Sequence, residues 1–511
     1  MLEVIACVSG ALVMVLEMVG ARVMAPYLGT SVIVWASLIG VVLACLAAGA
    51  WLGGRLADKT LSRGVLAAIL AGAGTGAALT GLAHPLIGEG VTHLITDPRL
   101  AAIVAALGLF ALPATLFGMV CPYVIRLKLA HLNTSGATVG TISALSTTGS
   151  IVGTFLGGFI LVSWFTSTQI LLGVACGMLA LSLLARLHKP LLRLCLLALT
   201  GLALAATSSY SEWLTAQGVP QPIETPYNSI RLLQGKDQGR PVRLMGTDPG
   251  YSQSGMYLDA PTELYFTYTR YYALGTTLMP RAHDVLMLGG GGYSVPKWLL
   301  SGQSGLDSEN LRLTVVELDP GMTDTARRYF ALPEDARMTI IHEDARRFLN
   351  ANQARYDLIF MDVFNSWYSI PFHVGTQEAF AAVRRALRPG GALLMNNISA
   401  LDGEASALFR AIYAALRANF AEVHVFQVHP GQPRHTVQNL MLLALPEPRP
   451  DLAPLLEQAE ASALARFSRP IQDMFRARVD AGPDSTPDGP VPPLRDAFAP
   501  VERYAQALLR Q

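Results

Sequence analysis

Hydrophobic and polar residues are distributed in two different ways along this chain. Up to about residue 210, apolar residues run in long blocks, and Lys and Arg appear almost only in short clusters between them. Crossing a bilayer as a helix takes about 20 mostly apolar residues. Blocks of that kind fall at 2–24, 32–54, 64–88, 100–123, 138–162, 168–186 and 191–208. The last is the weakest, because Arg193 interrupts it near its start and fewer than about 17 clean apolar residues follow. The first block lacks a basic leader and contains Glu17 and Arg22, so it reads as a helix rather than a cleaved signal. Those two charges are costly in lipid unless paired or near an interface. Pro26 and Gly29 place them close to a helix end, which favours a structural role. Gly149, Gly153 and Gly157 recur at four-residue spacing, a pattern that lets two helices approach closely.

After residue 210 the pattern changes. Short alternating runs at 228–233, 242–245 and 255–259 predict a small β-rich hairpin region, and an aromatic helix is expected over 263–274. Apolar strands then alternate with helical stretches. Strands are predicted at 284–288, 313–318, 338–341, 358–361 and 392–395, with a helix after each of the first four. Such alternation specifies a Rossmann-like, mainly parallel α/β sheet. The expected organisation is a multi-pass transmembrane α-helical domain over 1–210, a nucleoside-binding α/β domain over 211–445, and a Pro/Ala-rich tail over 446–511 with short helices at 451–465 and 497–509.

Composition agrees with this division. Of 511 residues 51% are hydrophobic and only 15% charged, unusual for a soluble chain. A net charge of +1 with no basic block excludes a nucleic-acid partner. Cys7, Cys45, Cys121, Cys176 and Cys195 all lie in the apolar half without CxxC spacing, so neither a disulfide framework nor a metal site is expected.

The candidate chemistry lies at successive strand ends. After the first strand of the sheet come Gly289, Gly290, Gly291 and Gly292, which let backbone N–H groups approach a ligand. The second strand ends at Glu317, an acidic side chain able to take both ribose hydroxyls. The third is followed by Asp344 and Ala345, where a carboxylate can accept from an adenine amino group, and the fourth by Asp362. Four such loops on the carboxyl edge of one sheet form one site.

In order and spacing these residues resemble the spermidine synthase group of the S-adenosylmethionine methyltransferase fold, across roughly 223–445. The stretches around Glu17–Arg22, Ile370–Glu378 and Leu494–Glu502 resemble the integral-membrane members of that group. The resemblance implies that Glu317 binds ribose, that Asp344 binds adenine, and that Gln253 helps to hold the nucleoside. It places Asp362 and Tyr268 against the attacking amine. It also implies a decarboxylated S-adenosylmethionine cosubstrate, with no prosthetic group, and a polyamine such as putrescine as acceptor.

Two departures bear on the acceptor. Asn365 stands where the family's second loop carboxylate is expected, and Arg270 stands where an acidic residue is expected, a position from which it would repel a diamine. His373 is the candidate replacement base or substrate contact, although a loop histidine beside proline is more often structural. Two other readings stay open: a methyltransferase using intact S-adenosylmethionine, and a transporter or sensor that binds nucleoside or polyamine without turnover. The implied partners are small-molecule substrates, a lipid bilayer and a second copy of this chain as a homo-oligomer.

Basic residues gather at 55–63, 126–128 and 186–193, which places those connections and the N-terminus in the cytoplasm. Seven crossings would export the α/β domain, away from a cytosolic cosubstrate. The expectation from sequence is therefore that 191–208 lies in the interface or re-enters, giving six crossings and a cytoplasmic catalytic domain in the cell membrane.

Overall fold

The computed structural model describes residues 1–29, 31–95, 97–129, 135–188, 190–216, 221–247, 251–364, 371–467, 478–479, 491–505 and 508. The chain forms two compact units, Met1–Ser229 and Ile230–Gln511.

The first unit is helical: α1 (Leu2–Leu28), α2 (Val32–Lys59), α3 (Arg63–Leu94), α4 (Pro98–Lys128), α5 (Ser135–Trp164), α6 (Ser167–Ala185) and α7 (Leu191–Ala216), followed by the short strand β1 (Ile223–Glu224). Polar caps start several of them. Ser62 accepts from the Val65 N–H, Asp97 accepts from the Arg99 and Leu100 N–H groups ahead of a first-turn proline, and Thr166 with Gln169 closes a capping box. Among the described residues, seven helices are long and apolar enough to cross a membrane. The glycine spacing in α5 has a packing function at two positions. A Cβ at Gly149 or Gly153 would collide with the backbone of Cys7 or Ala11 in α1, whereas at Gly157 it would make ordinary contact.

One feature differs from the sequence reading. The seventh helix continues to Ala216, eight residues past the expected end, and 24 of its residues, Leu191–Leu214, meet the length and composition needed for crossing. Arg193 is accommodated because its guanidinium donates to the Ser182 carbonyl at 2.6 Å and to the His188 carbonyl at 3.0 Å. At the far end, the Gln169 amide reaches Thr207 Oγ1 at 3.2 Å and Ser208 Oγ at 3.3 Å. Helix α7 therefore lies antiparallel to α6 along the whole length of α6. Arg22, for its part, pairs with Glu224 at 2.9 Å and donates to the Val162 carbonyl at 2.6 Å and the Phe165 carbonyl at 3.2 Å. Glu224 also accepts from the Ser167 N–H at 2.8 Å. A π-helical turn at Leu156–Leu161 precedes this cluster. The cluster is the structural ion pair expected of Arg22, with Glu224 as the partner.

The second unit begins with β2 (Ser229–Asp237), β3 (Arg240–Gly246) and β4 (Ser254–Tyr257), paired antiparallel. Gln238 and Gly239, both at positive φ, form the two-residue turn between β2 and β3. The aromatic segment starts later than expected, as α8 (Thr267–Arg270) and α9 (Tyr272–Leu278). Glu263 is drawn to Arg240 at 3.0 Å, and Phe266 is extended, so the helix cannot begin before Thr267.

The main sheet contains β5 (Asp284–Leu288), β6 (Arg312–Glu317), β7 (Met338–His342), β8 (Tyr356–Met361), β9 (Leu387–Ser399), β10 (Glu422–Gln427), β11 (Gln438–Leu445) and β12 (Arg478–Val479). Between them lie α10 (Ser294–Leu300), α11 (Pro320–Tyr329), α12 (Ala345–Ala351), α13 (Gln377–Ala386), α14 (Ala407–Arg417) and α15 (Leu452–Arg466), and α16 (Val501–Ala505) follows β12. Strand order is β12-β10-β11-β9-β8-β5-β6-β7. Strands β5 to β9 are parallel, and β10, β11 and β12 extend one edge antiparallel. The sheet is thus mixed, because three edge strands lie beyond the five that alternation predicts. The chain's winding reverses on either side of β5, which opens a crevice at the carboxyl ends of β5, β6 and β8.

Candidate active site

The glycine loop, Glu317 and Asp362 meet in that crevice. Glu317 Oε2 accepts from the Gly290 N–H at 2.8 Å and the Gly291 N–H at 3.3 Å, and Oε1 accepts from the Asp319 N–H at 2.9 Å. Burial pushes this carboxyl above its ordinary value, and the three backbone donors pull it back. Gly289 has φ of 91°, and a Cβ there would run into the Asp362 carbonyl. Only glycine lets β5 turn this close to the end of β8.

Asp362 is held from two directions. Tyr268 donates its hydroxyl to Oδ2 at 3.1 Å, and Asn396 donates its amide to Oδ1 at 3.0 Å. Asn439 in turn donates to Asn396 Oδ1 at 3.0 Å, fixing the amide's orientation. Burial raises the Asp362 carboxyl above its ordinary value, and the bonds from Asn396 and Tyr268 partly oppose the shift. Tyr268 is pushed well above its ordinary value by burial and by the neighbouring Asp362 charge, so it is a hydrogen-bond donor at neutral pH. Asp362 is therefore a desolvated carboxylate with a raised proton affinity, the properties required of a base.

Asp344 caps α12, accepting from the Arg347 N–H at 2.9 Å, while His373 Nε2 meets its Oδ2 at 2.8 Å. Burial alone would raise this carboxyl, but the Arg347 N–H and His373 outweigh it and hold it below its ordinary value. Ala345 is buried at the start of α12. Gln253 accepts from Thr247 Oγ1 at 2.9 Å, and its amide nitrogen lies 3.8 Å from the Met322 sulfur. Arg270 is buried, and its guanidinium donates to the carbonyls of Leu264 at 3.2 Å and Tyr265 at 3.4 Å. Asn365 lies outside the described residues.

Three contributors were missed at the sequence level. Asn396 is one, and the polar pair Asn396-Asn397 ending an apolar strand was its signal. Ser254 Oγ accepts from the Gly292 N–H at 2.8 Å and ties β4 to the glycine loop. Arg346, bonded to the His373 carbonyl at 3.1 Å, had no local signature.

Residues 267–430 match the family model described as spermine/spermidine synthase domain. A polyamine aminopropyltransferase of Vibrio vulnificus (strain CMCP6) is 31% identical over 217 residues, covering 41% of this chain and 67% of that protein. The chain belongs to the polyamine aminopropyltransferase family. It is a transferase of the spermidine synthase type. A polyamine aminopropyltransferase of Corynebacterium efficiens is 26% identical over 298 residues, 54% of each chain. Among solved structures, a probable spermidine synthase from Corynebacterium glutamicum ATCC 13032 is similar at a TM-score of 0.40 and 23% identity, covering 47% of this chain and 86% of that one.

The two Asp362 contacts give a pH prediction for this aminopropyltransferase family member. A base must be deprotonated to act, so with Asp362 as the candidate base turnover is expected to rise with pH through its titration. Tyr268→Phe and Asn396→Ala each remove a bond that stabilises the carboxylate. Both are expected to move the acidic limb of the kcat–pH profile to higher pH. A limb that stays in place or moves down contradicts the base assignment.

Proposed function

We propose that this protein transfers the aminopropyl group of decarboxylated S-adenosylmethionine to a polyamine such as putrescine, with Asp362 as the base. The observation that carries the reading is the buried Asp362 carboxylate, bracketed by Tyr268 and Asn396 and abutting Gly289 of the glycine loop. In this reading Glu317 holds the ribose diol, Asp344 the adenine amino group, and Gln253 the nucleoside's near side. Gly289, Gly290, Gly291 and Ala345 supply the close backbone approach. Asn365 is the residue assigned to the acceptor, and His373 supports Asp344 through its Oδ2. An ammonium group of the acceptor gives one proton to Asp362, which exposes a lone pair. That pair forms a C–N bond at the aminopropyl carbon while the C–S bond breaks. The bonding electrons return to sulfur and leave neutral methylthioadenosine. Mixing purified protein with decarboxylated or intact S-adenosylmethionine and a panel of amines tests the reading, through the release of methylthioadenosine rather than S-adenosylhomocysteine.

The reading includes a membrane-bound enzyme, and α7 bears on its sidedness. The antiparallel pairing of α7 with all of α6 supports seven crossings. The basic connections at 55–63, 126–128 and 186–193 all follow even-numbered helices, whereas 29–31 and 165–167 carry no Lys or Arg. The N-terminus is then cytoplasmic and the α/β unit faces the other side. This departs from the six-crossing expectation, which rested on the shortness of 191–208 and on a cytosolic cosubstrate. An export-dependent reporter fused after Gln511 is expected to be active, and one fused after Lys59 inactive. The reverse pattern, or a cytoplasmic signal at Gln511, contradicts seven crossings with this orientation.

A further inference from the structure

At the adenine edge of the site a run of contacts leads from Asp344 to the far end of the chain. His373 Nε2 meets Asp344 Oδ2 at 2.8 Å. The guanidinium of Arg346 donates from Nη1 to the His373 carbonyl at 3.1 Å and to Thr376 Oγ1 at 3.1 Å. Its Nη2 bonds Asp496 Oδ2 at 2.7 Å, and Thr376 donates to Asp496 Oδ1 at 2.6 Å. Backbone bonds at and just before this point fix the tail: the Gln377 N–H donates to the Leu494 carbonyl at 2.8 Å, and the Asp496 N–H to Glu378 Oε2 at 3.0 Å. Asp496 lies 150 residues from Arg346 in sequence, so these bonds position a remote segment at the site.

The Asp344 carboxylate has its other oxygen committed to capping α12 at the Arg347 N–H. Its Oδ2 is the oxygen left for an incoming amino group, and His373 determines how that oxygen is presented. A carboxylate oxygen accepts two donors, so His373 and an adenine amino group can share it. Arg346 fixes the His373 backbone, and Asp496 with Thr376 fixes Arg346. An arginine fork held by a carboxylate through two N–H groups is a directional brace.

Resting on the proposed nucleoside site, we infer that the tail segment around Asp496 is part of its base-recognition apparatus. Asp496 and Arg346 act as positioning residues, which through His373 set the Asp344 oxygen that distinguishes adenine from a 6-oxopurine. The inference assigns a function to a segment with no catalytic pattern of its own. It also separates His373 from proton transfer, which stays with Asp362.

Calorimetry with 5′-methylthioadenosine and 5′-methylthioinosine on the full chain tests this. The wild type is expected to prefer the adenine nucleoside by roughly tenfold or more, the worth of one hydrogen bond to a charged group. Asp496→Ala and Arg346→Ala are expected to bring the preference close to one while leaving inosine binding nearly unchanged. Arg346→Lys, which keeps the charge but loses the fork, is expected to fall between. Should Asp496→Ala fail to fold, Thr376→Val removes the bond to Asp496 and is expected to lower the preference in the same direction. Variants that weaken both nucleosides equally, or keep the wild-type preference, overturn the inference and leave the nucleoside site standing. A wild type that binds both nucleosides equally overturns the role given to Asp344 and with it the inference. A wild type that binds neither overturns the proposed function as well.

Discussion

Replacing Asp362 by Asn is expected to lower turnover by roughly two or more orders of magnitude while nucleoside affinity stays nearly unchanged. The substitution keeps the shape of the side chain and one acceptor for the Tyr268 hydroxyl or the Asn396 amide, so the local network loses little. What disappears is the proposed proton acceptor. An amine that stays protonated has no lone pair to form the new C–N bond, and no other described carboxylate is bonded to Tyr268 or Asn396. Single-turnover kinetics beside calorimetry separates the two effects. Equal activity in the variant would move the base elsewhere.

Glu317→Ala is expected to have the largest effect on binding. Losing hydrogen bonds to a charged group costs about 1.5–3 kcal/mol, or roughly 10- to 150-fold in Kd. Glu317 organises the loop, since its carboxylate holds the N–H groups of Gly290, Gly291 and Asp319. Its removal therefore leaves those donors unpaired in addition to removing the proposed ribose contact. Glu317→Gln keeps one acceptor oxygen and is expected to lose less. Calorimetry showing unchanged affinity for methylthioadenosine would remove Glu317 from the site.

Much of this was legible in the sequence because it depends on local patterns. Long apolar blocks mark helices whatever surrounds them, and all seven appear within a few residues of their expected positions, apart from extended ends. The five parallel strands and the carboxyl-edge loops follow from apolar runs closed by Gly, Glu or Asp. What escaped depends on contacts between distant residues. Asn396 reaches Asp362 across 34 residues, and Asp496 reaches Arg346 across 150. Arg22 takes its partner from Glu224, beyond the last helix, which no helix pattern indicates. Strand β10 still follows a helix, α14, but β11 follows β10 directly as an antiparallel hairpin, which strand–helix alternation does not predict. Arg270 adds contacts that the sequence does not indicate, to the carbonyls of Leu264 and Tyr265.

The most direct test of the central claim is mass spectrometry of the products formed by purified protein from decarboxylated S-adenosylmethionine and putrescine. The account predicts methylthioadenosine together with an amine enlarged by one aminopropyl group, both strongly reduced in Asp362→Asn. Methylation of an acceptor from intact S-adenosylmethionine, with release of S-adenosylhomocysteine and no product from the decarboxylated form, would contradict it.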